Sequence, residues 1–296
     1  MIVFCKGEGK MKATVKTDTL EISANTAGAE LCSVKKDGVE YIWQAGDAWK
    51  RYAPVLFPFI CSPKGKKYKA NGKEYTMPAN HGFARDMEFE LVAQTDDSLT
   101  FKLTSNDDTR KVYPYDFELT VSFTVKGDSV EVLNSVKNTG EGDMYFYLGG
   151  HPAFNCPLEE GLSFDDYEIV YEKAETIIQP LLTGGERTVI DNAQGYKLSR
   201  ALFDHDVIMK DKPNSKSITL MSQKGSRSVT LRYPESECIA VWSSTGNDEA
   251  KFVCLEPWTS VPVYADDEYE DIEKKPHAVK LAAGGKFDYR YFYEVK

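Results

Sequence analysis

A two-residue alternation of apolar and polar side chains recurs along the chain and is the feature that most constrains the fold. It is clearest in DFELTVSFTV, which places Phe117, Leu119, Val121, Phe123 and Val125 on one face of a strand. The segment KGD then separates this stretch from SVEVLNSV, which predicts a β-hairpin. The same pattern, rich in Val, Thr, Phe and Tyr, occurs in TLEISAN, SLTFKLTS, SITLMSQ, RSVTLRYP and KFDYRYFYEV.

No segment shows a long apolar stripe of helical period, so helix is expected to be scarce. The chain therefore predicts an all-β fold, a large and mostly antiparallel β-sandwich with little helix. The sequence of 296 residues exceeds the usual domain size, but sandwiches of this length often form one unit. Because no repeat or Pro/Ser-rich linker divides the sequence, we expect a single domain over 1–296.

The net charge and the lack of long apolar runs limit the classes of molecule that this protein is expected to bind. There are 36 Lys and Arg against 46 Asp and Glu, a formal net charge of −10, whereas nucleic acids and anionic membranes bind concentrated basic surfaces. No apolar run approaches the ~18 residues of a membrane span, and the N-terminal stretch lacks a secretory signal pattern. We expect a cytoplasmic monomer or homodimer with a small-molecule ligand. The acidic segment 265–275 is interpreted as a solvated loop that could rim a site.

The cysteines are scattered, and no CxxC pair or nearby histidine suggests a structural metal site. We interpret all six as buried reduced thiols. Cys254, two residues before Glu256, could also be a nucleophile activated by that carboxylate. Its context, VCLEP, is typical of an apolar strand and favours a packing role. The six residues are Cys5, Cys32, Cys61, Cys156, Cys238 and Cys254.

Three stretches place a titratable residue beside Gly or Pro and aromatic residues, as loops at the mouth of a sheet scaffold often do. They are NHGFARD with His81, GGHPAFNCP with His151 and CLEPWTSVP with Glu256. These residues could bind zinc, but the HxxxH and HExxH spacings are absent. An imidazole titrates near pH 6.5, and partial desolvation can raise the pKa of a glutamate into the same range. The set therefore favours proton transfer without a metal or other cofactor.

Aromatic residues near these stretches indicate the ligand class. Their flat faces suit the C–H side of a sugar ring, while His, Arg, Asp and Glu can bind its hydroxyl groups. The sequence thus predicts a carbohydrate ligand. The aromatic candidates are Trp49, Phe83, Phe154 and Trp258.

Taken together, these stretches resemble the aldose 1-epimerases, or galactose mutarotases, and specifically their LacX-like branch. The segments GAELCSVKKDGVEYIWQAGDAWKRYAPVLFPFIC, FYLGGHPAFNCPL and YPESECIAVWSSTGNDEAKFVCLEPW are similar to that branch in order and spacing. The resemblance covers nearly the whole chain and implies the galactose mutarotase-like supersandwich. It also implies that Glu256 is the general base, that His151 is the general acid, and that His81 hydrogen-bonds the sugar near its ring oxygen. The implied reaction interconverts the α and β anomers of a hexose such as galactose or glucose.

The chain departs from this family at one sugar contact. The family commonly has an arginine after the segment that corresponds to LFPFIC, where this chain has Ser62 or Pro63. Arg51, Lys64 or Arg85 could replace it. We favour Arg85, because its spacing from the histidine matches the HGFAR pattern.

A family aspartate that holds sugar hydroxyls falls in LFDHDVIMK, where Asp204 and Asp206 both fit. We favour Asp206. The remaining histidines, His205 and His277, are predicted to face solvent.

Two other functions stay open. A hexose-6-phosphate mutarotase would need basic residues for the phosphate, which Lys64, Lys66 and Lys67 could supply, although a solvated Lys-rich turn is the commoner explanation. A non-catalytic sugar-binding module would not need an acid paired with a base. The presence of both histidines and Glu256 argues against that module.

Overall fold

The computed structural model describes residues 11–180, 186–262 and 270–296, and strands make up most of it. In the described residues the α-helix is limited to α1 (Asp107–Val112), with short 3-10 turns at Lys64–Lys66, Ala84–Asp86, Phe164–Asp166, Arg200–Phe203 and Ile272–Lys274. No helix in these parts of the chain is long and apolar enough to span a membrane. The prediction of an all-β fold with little helix is confirmed. The strands are β1 (Lys12–Lys16), β2 (Glu21–Asn25), β3 (Glu30–Lys36), β4 (Val39–Glu40), β5 (Val55–Leu56), β6 (Lys67–Ala70), β7 (Lys73–Thr76), β8 (Glu90–Gln94), β9 (Ser98–Thr104), β10 (Phe117–Lys126), β11 (Ser129–Asn138), β12 (Met144–Phe146), β13 (Gly149–Gly150), β14 (Ala153–Asn155), β15 (Tyr167–Pro180), β16 (Glu186–Lys197), β17 (Ile208–Asp211), β18 (Ser217–Ser222), β19 (Ser228–Arg232), β20 (Cys238–Trp242), β21 (Phe252–Trp258), β22 (Val279–Leu281) and β23 (Lys286–Val295).

A nine-stranded antiparallel sheet, in the order β16-β15-β18-β19-β23-β11-β10-β9-β8, forms one layer of the sandwich. The predicted hairpin is β10–β11, paired from Phe117 with Asn138 to Lys126 with Ser129. Alternate residues of β10 from Phe117 to Val125 are buried, as the period of two predicts. The other five predicted strands are confirmed as β2, β9, β18, β19 and β23.

A six-stranded sheet faces it, in the order β17-β20-β21-β13-β5, with β14 also paired to β21. The two layers meet through aromatic contacts. Phe154 of β14 packs against Tyr293 of β23 at 5.3 Å between ring centroids, and Phe57 packs against Phe117 of β10 at 5.1 Å. The main apolar core lies between these sheets. A four-stranded sheet, β1 to β4, and the pairs β6–β7 and β12–β22 complete the described structure.

Strand β21 is buried on both faces, and the two faces meet different neighbours. Val253 and Leu255 belong to the main core, whereas Phe252 and Cys254 belong to a second, smaller apolar cluster. Glu256 continues the face of Phe252 and Cys254, because side chains alternate along a strand. We call this second group the aromatic cluster; it comprises Ala153, Ala250, Phe252 and Cys254, with Trp43, Ala48, Trp49 and Trp242 packed against them.

The described cysteines are free thiols, and all of them are buried as predicted except Cys61, which is half-buried; Cys5 lies outside the described residues. Burial raises the pKa of the Cys254 thiol far above its usual range, which supports packing over the nucleophile interpretation. Residues 265–269 of the acidic segment also lie outside the described part. Within 270–275, Ile272 and Lys275 are buried whereas Glu270 and Lys274 are exposed, so this portion is only partly the solvated loop we predicted.

Candidate active site

The three stretches singled out in the sequence converge at the six-stranded sheet. His151 follows β13, Glu256 lies in β21, and His81 lies in the loop before the 3-10 turn Ala84–Asp86. The Nε2 atom of His151 is 3.3 Å from Oε2 of Glu256. The rings of His81 and His151 are 5.5 Å apart between centroids and nearly perpendicular, at 84°. The fold therefore brings two imidazoles and one carboxyl group into a single cluster.

Glu256 is a buried carboxyl group, only 1% exposed, and its Oε2 has no hydrogen-bond partner among the described residues. Burial raises its pKa well above the usual range, and the negative charge of Asp206 raises it further. The indole N–H of Trp258 and the charge of Arg85 act in the opposite direction on this pKa, although the indole forms no well-aligned hydrogen bond. A carboxyl group in this setting can exchange a proton near neutral pH.

His151 is 6% exposed, and its Nδ1 lacks a hydrogen-bond partner within the described part of the chain. Burial lowers its pKa well below the usual range, and the nearby His81 and Arg85 lower it further. The ring of Trp49 stacks on the imidazole, with 4.9 Å between centroids and 26° between planes. Trp242 packs against it edge-on at 5.6 Å. Two tryptophans thus hold the plane of this imidazole.

Backbone hydrogen bonds hold His81. The N–H of Cys61 donates to its Nδ1 at 3.0 Å, and the N–H of His81 donates to the carbonyl oxygen of Cys61 at 2.7 Å. Since Nδ1 accepts, a neutral ring carries its proton on Nε2 and can donate from there. Burial, together with the charges of Arg85 and Arg51, lowers the pKa of His81 to about 3. His81 is therefore a neutral hydrogen-bond donor at physiological pH.

The loop around His81 has an unusual backbone. Cys61 has φ of 56° and His81 has φ of 62°, in the left-handed region that non-glycine residues rarely adopt. Gly82 follows with φ of 74°, and a Cβ built on it would overlap the carbonyl group of Phe57. Only glycine fits at position 82, and this close approach places His81 against the strand that ends at Leu56.

The two candidate arginines have different surroundings. The side chain of Arg85 is 12% exposed, its Nε has no hydrogen-bond partner in the described structure, and burial and Arg51 lower its pKa to about 10. Arg51 pairs with Asp86 at 2.7 Å and donates to the Arg85 carbonyl oxygen at 3.3 Å. Arg51 therefore anchors the loop. Both arginines lower the pKa values of His81 and His151, and of the two only Arg85 also lowers the pKa of Glu256.

Asp206 lies beside the site and Asp204 has no comparable contact. The indole N–H of Trp242 donates to Oδ1 of Asp206 at 2.8 Å, and the charge of Asp206 raises the pKa of Glu256. Asp204 is exposed, and its backbone N–H bonds the carbonyl oxygen of Ala201. This placement supports the preference for Asp206. Of the other histidines, His277 is exposed as predicted, whereas His205 is half-buried.

The structure places two of the predicted aromatic contacts away from the site. Phe83 and Phe154 are fully buried in the main core, where Phe83 packs against Phe57 at 6.2 Å. In β14 neighbouring side chains point to opposite faces, and Ala153 faces the aromatic cluster, so Phe154 points away from the site. Trp258 shares the face of Glu256 but is only 1% exposed, and therefore it has no open ring face for a ligand.

The half-buried aromatic rings at the site are Trp49 and Trp242. Trp242 was missed by the sequence reasoning. It lies opposite Cys254 across the β20–β21 pair, and Ala240 lies opposite Glu256. The alternation along β20 places Trp242 on the face of Glu256, but only once the pairing register is known.

The segment that departs from the family pattern contributes little charge to the site. Ser62 is half-buried, with an Oγ that has no partner among the described residues, and Pro63 is buried. The lysines that follow are exposed: Lys67 pairs with Glu74 at 2.9 Å, and Lys66 bonds the Pro78 carbonyl oxygen at 3.4 Å. The solvated-turn interpretation fits Lys64, Lys66 and Lys67. The site also holds three atoms of metal-ligating type, from His151, Cys254 and Glu256.

The sandwich defines the class of the protein, that of galactose mutarotase-like β folds. The crystal structure of a galactose mutarotase related enzyme from Lactobacillus acidophilus matches it with a TM-score of 0.90 and 30% identity, over 97% of each chain. The chain belongs to the aldose 1-epimerase family, whose sequence model matches residues 11–292. The plasmid-encoded protein LacX of Lactococcus lactis subsp. lactis is 33% identical over 286 residues, covering 92% of this chain and 95% of LacX. The resemblance to the LacX-like branch is thus confirmed. A candidate glucose-6-phosphate 1-epimerase of Escherichia coli K12 is 30% identical over 155 residues, 48% of each chain.

Proposed function

We propose that this protein is a mutarotase that interconverts the α and β anomers of a hexose such as galactose or glucose. The observation that carries the proposal is the buried pair of His151 and Glu256, with Nε2 and Oε2 3.3 Å apart and His81 beside it. Membership in the aldose 1-epimerase family supports an isomerase that acts on carbohydrates. An acid and a base within hydrogen-bond reach of one bound group are what this chemistry requires.

The proposed mechanism uses only proton transfers. Glu256 takes the proton of the C1 hydroxyl, and His151 gives a proton to the ring oxygen. The C1–O5 bond breaks and the C1 hydroxyl becomes the aldehyde. Rotation about C1–C2 by about half a turn turns the other face of the carbonyl toward the ring oxygen, and the reverse transfers close the ring. The His81 Nε2–H donates to the oxygen on which charge develops, and Trp49 and Trp242 offer apolar ring faces.

Polarimetry on freshly dissolved α-D-glucose and α-D-galactose tests the proposal. We expect the approach to anomeric equilibrium to be faster with the protein than with buffer, and the final rotation to be the same. A binding signal without any acceleration would favour the non-catalytic sugar-binding module instead.

A hexose-6-phosphate mutarotase is the second candidate. The charge of Arg51 lowers the pKa of Arg85, so the two guanidinium groups lie near each other, and Asp86 offsets part of their charge; a phosphate group could bind to both. The partial match to the E. coli protein named above supports the same alternative. Parallel measurements on glucose 6-phosphate and glucose separate the two candidates through the ratio of their kcat/KM values.

The remaining expectations stay predictions. They are the single domain over 1–296, the monomeric or homodimeric state, the absence of nucleic-acid and membrane partners, the absence of a required cofactor, and the cytoplasmic location.

A further inference from the structure

Cys254 lies beside the catalytic pair, and the proposed mechanism does not use it. It is two residues before Glu256 on the same face of β21, and its side chain is fully buried in the aromatic cluster. One ligand atom each from His151, Cys254 and Glu256 lie within 4.8 Å of one another. Among the described residues, no other group of three or more His, Cys, Asp or Glu side chains is this close.

The distances suit a tetrahedral ion. With bonds of about 2.0 Å to nitrogen or oxygen and about 2.3 Å to sulfur, two ligands on a tetrahedral zinc are roughly 3.3–3.8 Å apart. The separation between His151 Nε2 and Glu256 Oε2 is 3.3 Å, at the lower end of this range. The thiol needs to approach by no more than about 1.5 Å to complete the triangle, a movement that rotation of a cysteine side chain supplies.

The unpartnered carboxyl oxygen and the types of donor atom also suit metal binding. Glu256 Oε2 has no hydrogen-bond partner within the described structure, so binding would break no hydrogen bond at that ligand atom. A neutral imidazole is the form that ligates metals. A combination of sulfur, nitrogen and one carboxylate oxygen favours soft or borderline ions over Mg²⁺ or Ca²⁺.

We propose that His151, Cys254 and Glu256 form an inhibitory site for a thiophilic divalent cation such as Zn²⁺, Cd²⁺ or Co²⁺. On binding, Cys254 loses its thiol proton and the His151–Glu256 pair loses the proton that it holds, both to solvent, and the thiolate, the imidazole and the carboxylate coordinate the ion, with solvent as the fourth ligand. The ion then takes the lone pairs that the proposed reaction needs on His151 and Glu256. Binding is independent of the proposed function, whereas inhibition of mutarotation rests on it.

Spectroscopy tests the binding without reference to activity. The chelator-treated protein is titrated with Co²⁺, and a thiolate-to-cobalt charge-transfer band reports coordination by sulfur. We expect the band to appear with one equivalent of Co²⁺, to be lost on addition of Zn²⁺, and to be absent in Cys254→Ala. The matched control is Cys238→Ala, because Cys238 is an equally buried thiol on the neighbouring strand β20 and is not among the three ligands. The control should keep the band.

Inhibition is measured on the same proteins, each relative to its own rate with chelator present. Loss of an outer-sphere partner alone weakens metal sites about 10–100-fold, so loss of the thiolate should raise the inhibitory Zn²⁺ concentration by at least about 100-fold. Cys238→Ala should be inhibited like the wild type. If Cys254→Ala does not fold, Cys254→Val provides a thiol-free side chain of closer volume.

Absence of the charge-transfer band from the wild type would overturn the proposal. So would equal sensitivity of the wild type and the Cys254 variants to Zn²⁺, which would indicate surface carboxylates as the ligands. If the wild type shows the band but no mutarotation, the metal site stands and the proposed function fails. If the wild type catalyses mutarotation but shows no band, the proposed function stands and the metal site fails.

Discussion

At the scale of single residues, burial acts on the pKa values of His151 and Glu256 in opposite directions. It raises the pKa of Glu256 and lowers that of His151, so that both groups resist carrying charge. Because they lie 3.3 Å apart, we expect the two groups to titrate as a unit, and the proposed roles need the one-proton state in which the proton is on His151 and the carboxylate of Glu256 is ionised. Activity should follow the population of that state and not the pKa of either group alone.

Removal of the base gives the most direct prediction for the pair. Glu256→Gln keeps the size of the side chain but cannot accept the C1 proton, so kcat should fall by roughly 10²–10⁴-fold. Sugar binding, measured by calorimetry, should change much less. Mutarotation close to the wild-type rate would remove Glu256 from the role of base.

The two histidines should differ in their pH profiles. A bell-shaped profile of kcat/KM against pH is expected. At low pH a second proton on the pair leaves Glu256 unable to accept a proton, and at high pH loss of the remaining proton leaves His151 unable to donate one. With a pKa of about 3, His81 stays neutral across this range, so His81→Asn should lower the maximum and keep both limbs. In His151→Asn the fall at high pH should disappear. If the fall at high pH disappears only in His81→Asn, then His81 is the acid and His151 is the hydrogen-bond donor.

At the scale of elements, two glycines allow β13 to pass between larger side chains. A Cβ on Gly149 would lie 2.7 Å from Cδ1 of Trp258, and one on Gly150 would overlap the hydroxyl of Tyr291. His151 follows directly, so the position of its imidazole depends on how closely this strand packs. Packing contacts of this kind are stiff, because protein interiors are dense.

Gly150→Ala should therefore impair both stability and catalysis. Overpacking costs about 1–3 kcal/mol of unfolding free energy, and a displaced His151 should lower kcat about 10–100-fold. Adding Tyr291→Phe removes the hydroxyl and should restore part of both losses, as urea unfolding and polarimetry would show. Gly142→Ala is the control, since no atom lies within 4 Å of a Cβ at that position. Equal effects of the two glycine variants would contradict a specific role for the contact with Tyr291.

The sequence predicted those elements whose two faces differ. Strands β10, β18 and β23 alternate because one face is buried and the other is not. Strand β21 is buried on both faces, so its side chains carry no alternation to show their direction. The long hairpin of β15 and β16 was not predicted; its pairing contains register shifts, and β16 has few buried residues.

For the site, the local motifs identified the titratable groups but not the side chains that surround them. His81, His151 and Glu256 lie in short stretches with distinctive neighbours, and the fold brings them together. Trp242 lies in the site because of the register between β20 and β21, and register is a long-range property. Phe154 was misplaced because a three-residue strand is too short to show its period.

At the scale of the whole molecule, the buried imidazole of His81 couples folding to pH. Its pKa is about 3 in the folded protein and near 6.5 in an unfolded chain, so below pH 6.5 the unfolded state binds a proton that the folded state does not. The stabilisation is complete above pH 6.5 and is lost as the pH falls toward 3. At about pH 5 the loss is of order 2 kcal/mol.

Urea unfolding at about pH 7 and about pH 5 measures this coupling. Between the two, the wild type should lose about 2 kcal/mol more unfolding free energy than His81→Asn, which cannot take up the proton. The exposed His277 provides the control, and His277→Asn should behave like the wild type. A His81→Asn protein as acid-sensitive as the wild type would show that this imidazole is not held neutral by the fold.

The central place of β23 in the large sheet has a consequence for biosynthesis. This strand lies between β19 and β11, so it joins the group β16-β15-β18-β19 to the group β11-β10-β9-β8. A ribosome has to translate residue 295 before the two groups can join, although β10 and β11 are complete more than a hundred residues earlier. Until then the nascent chain presents two open strand edges, the kind of surface that invites aggregation and engages chaperones. A stop codon anywhere before position 286 would leave those edges permanently open.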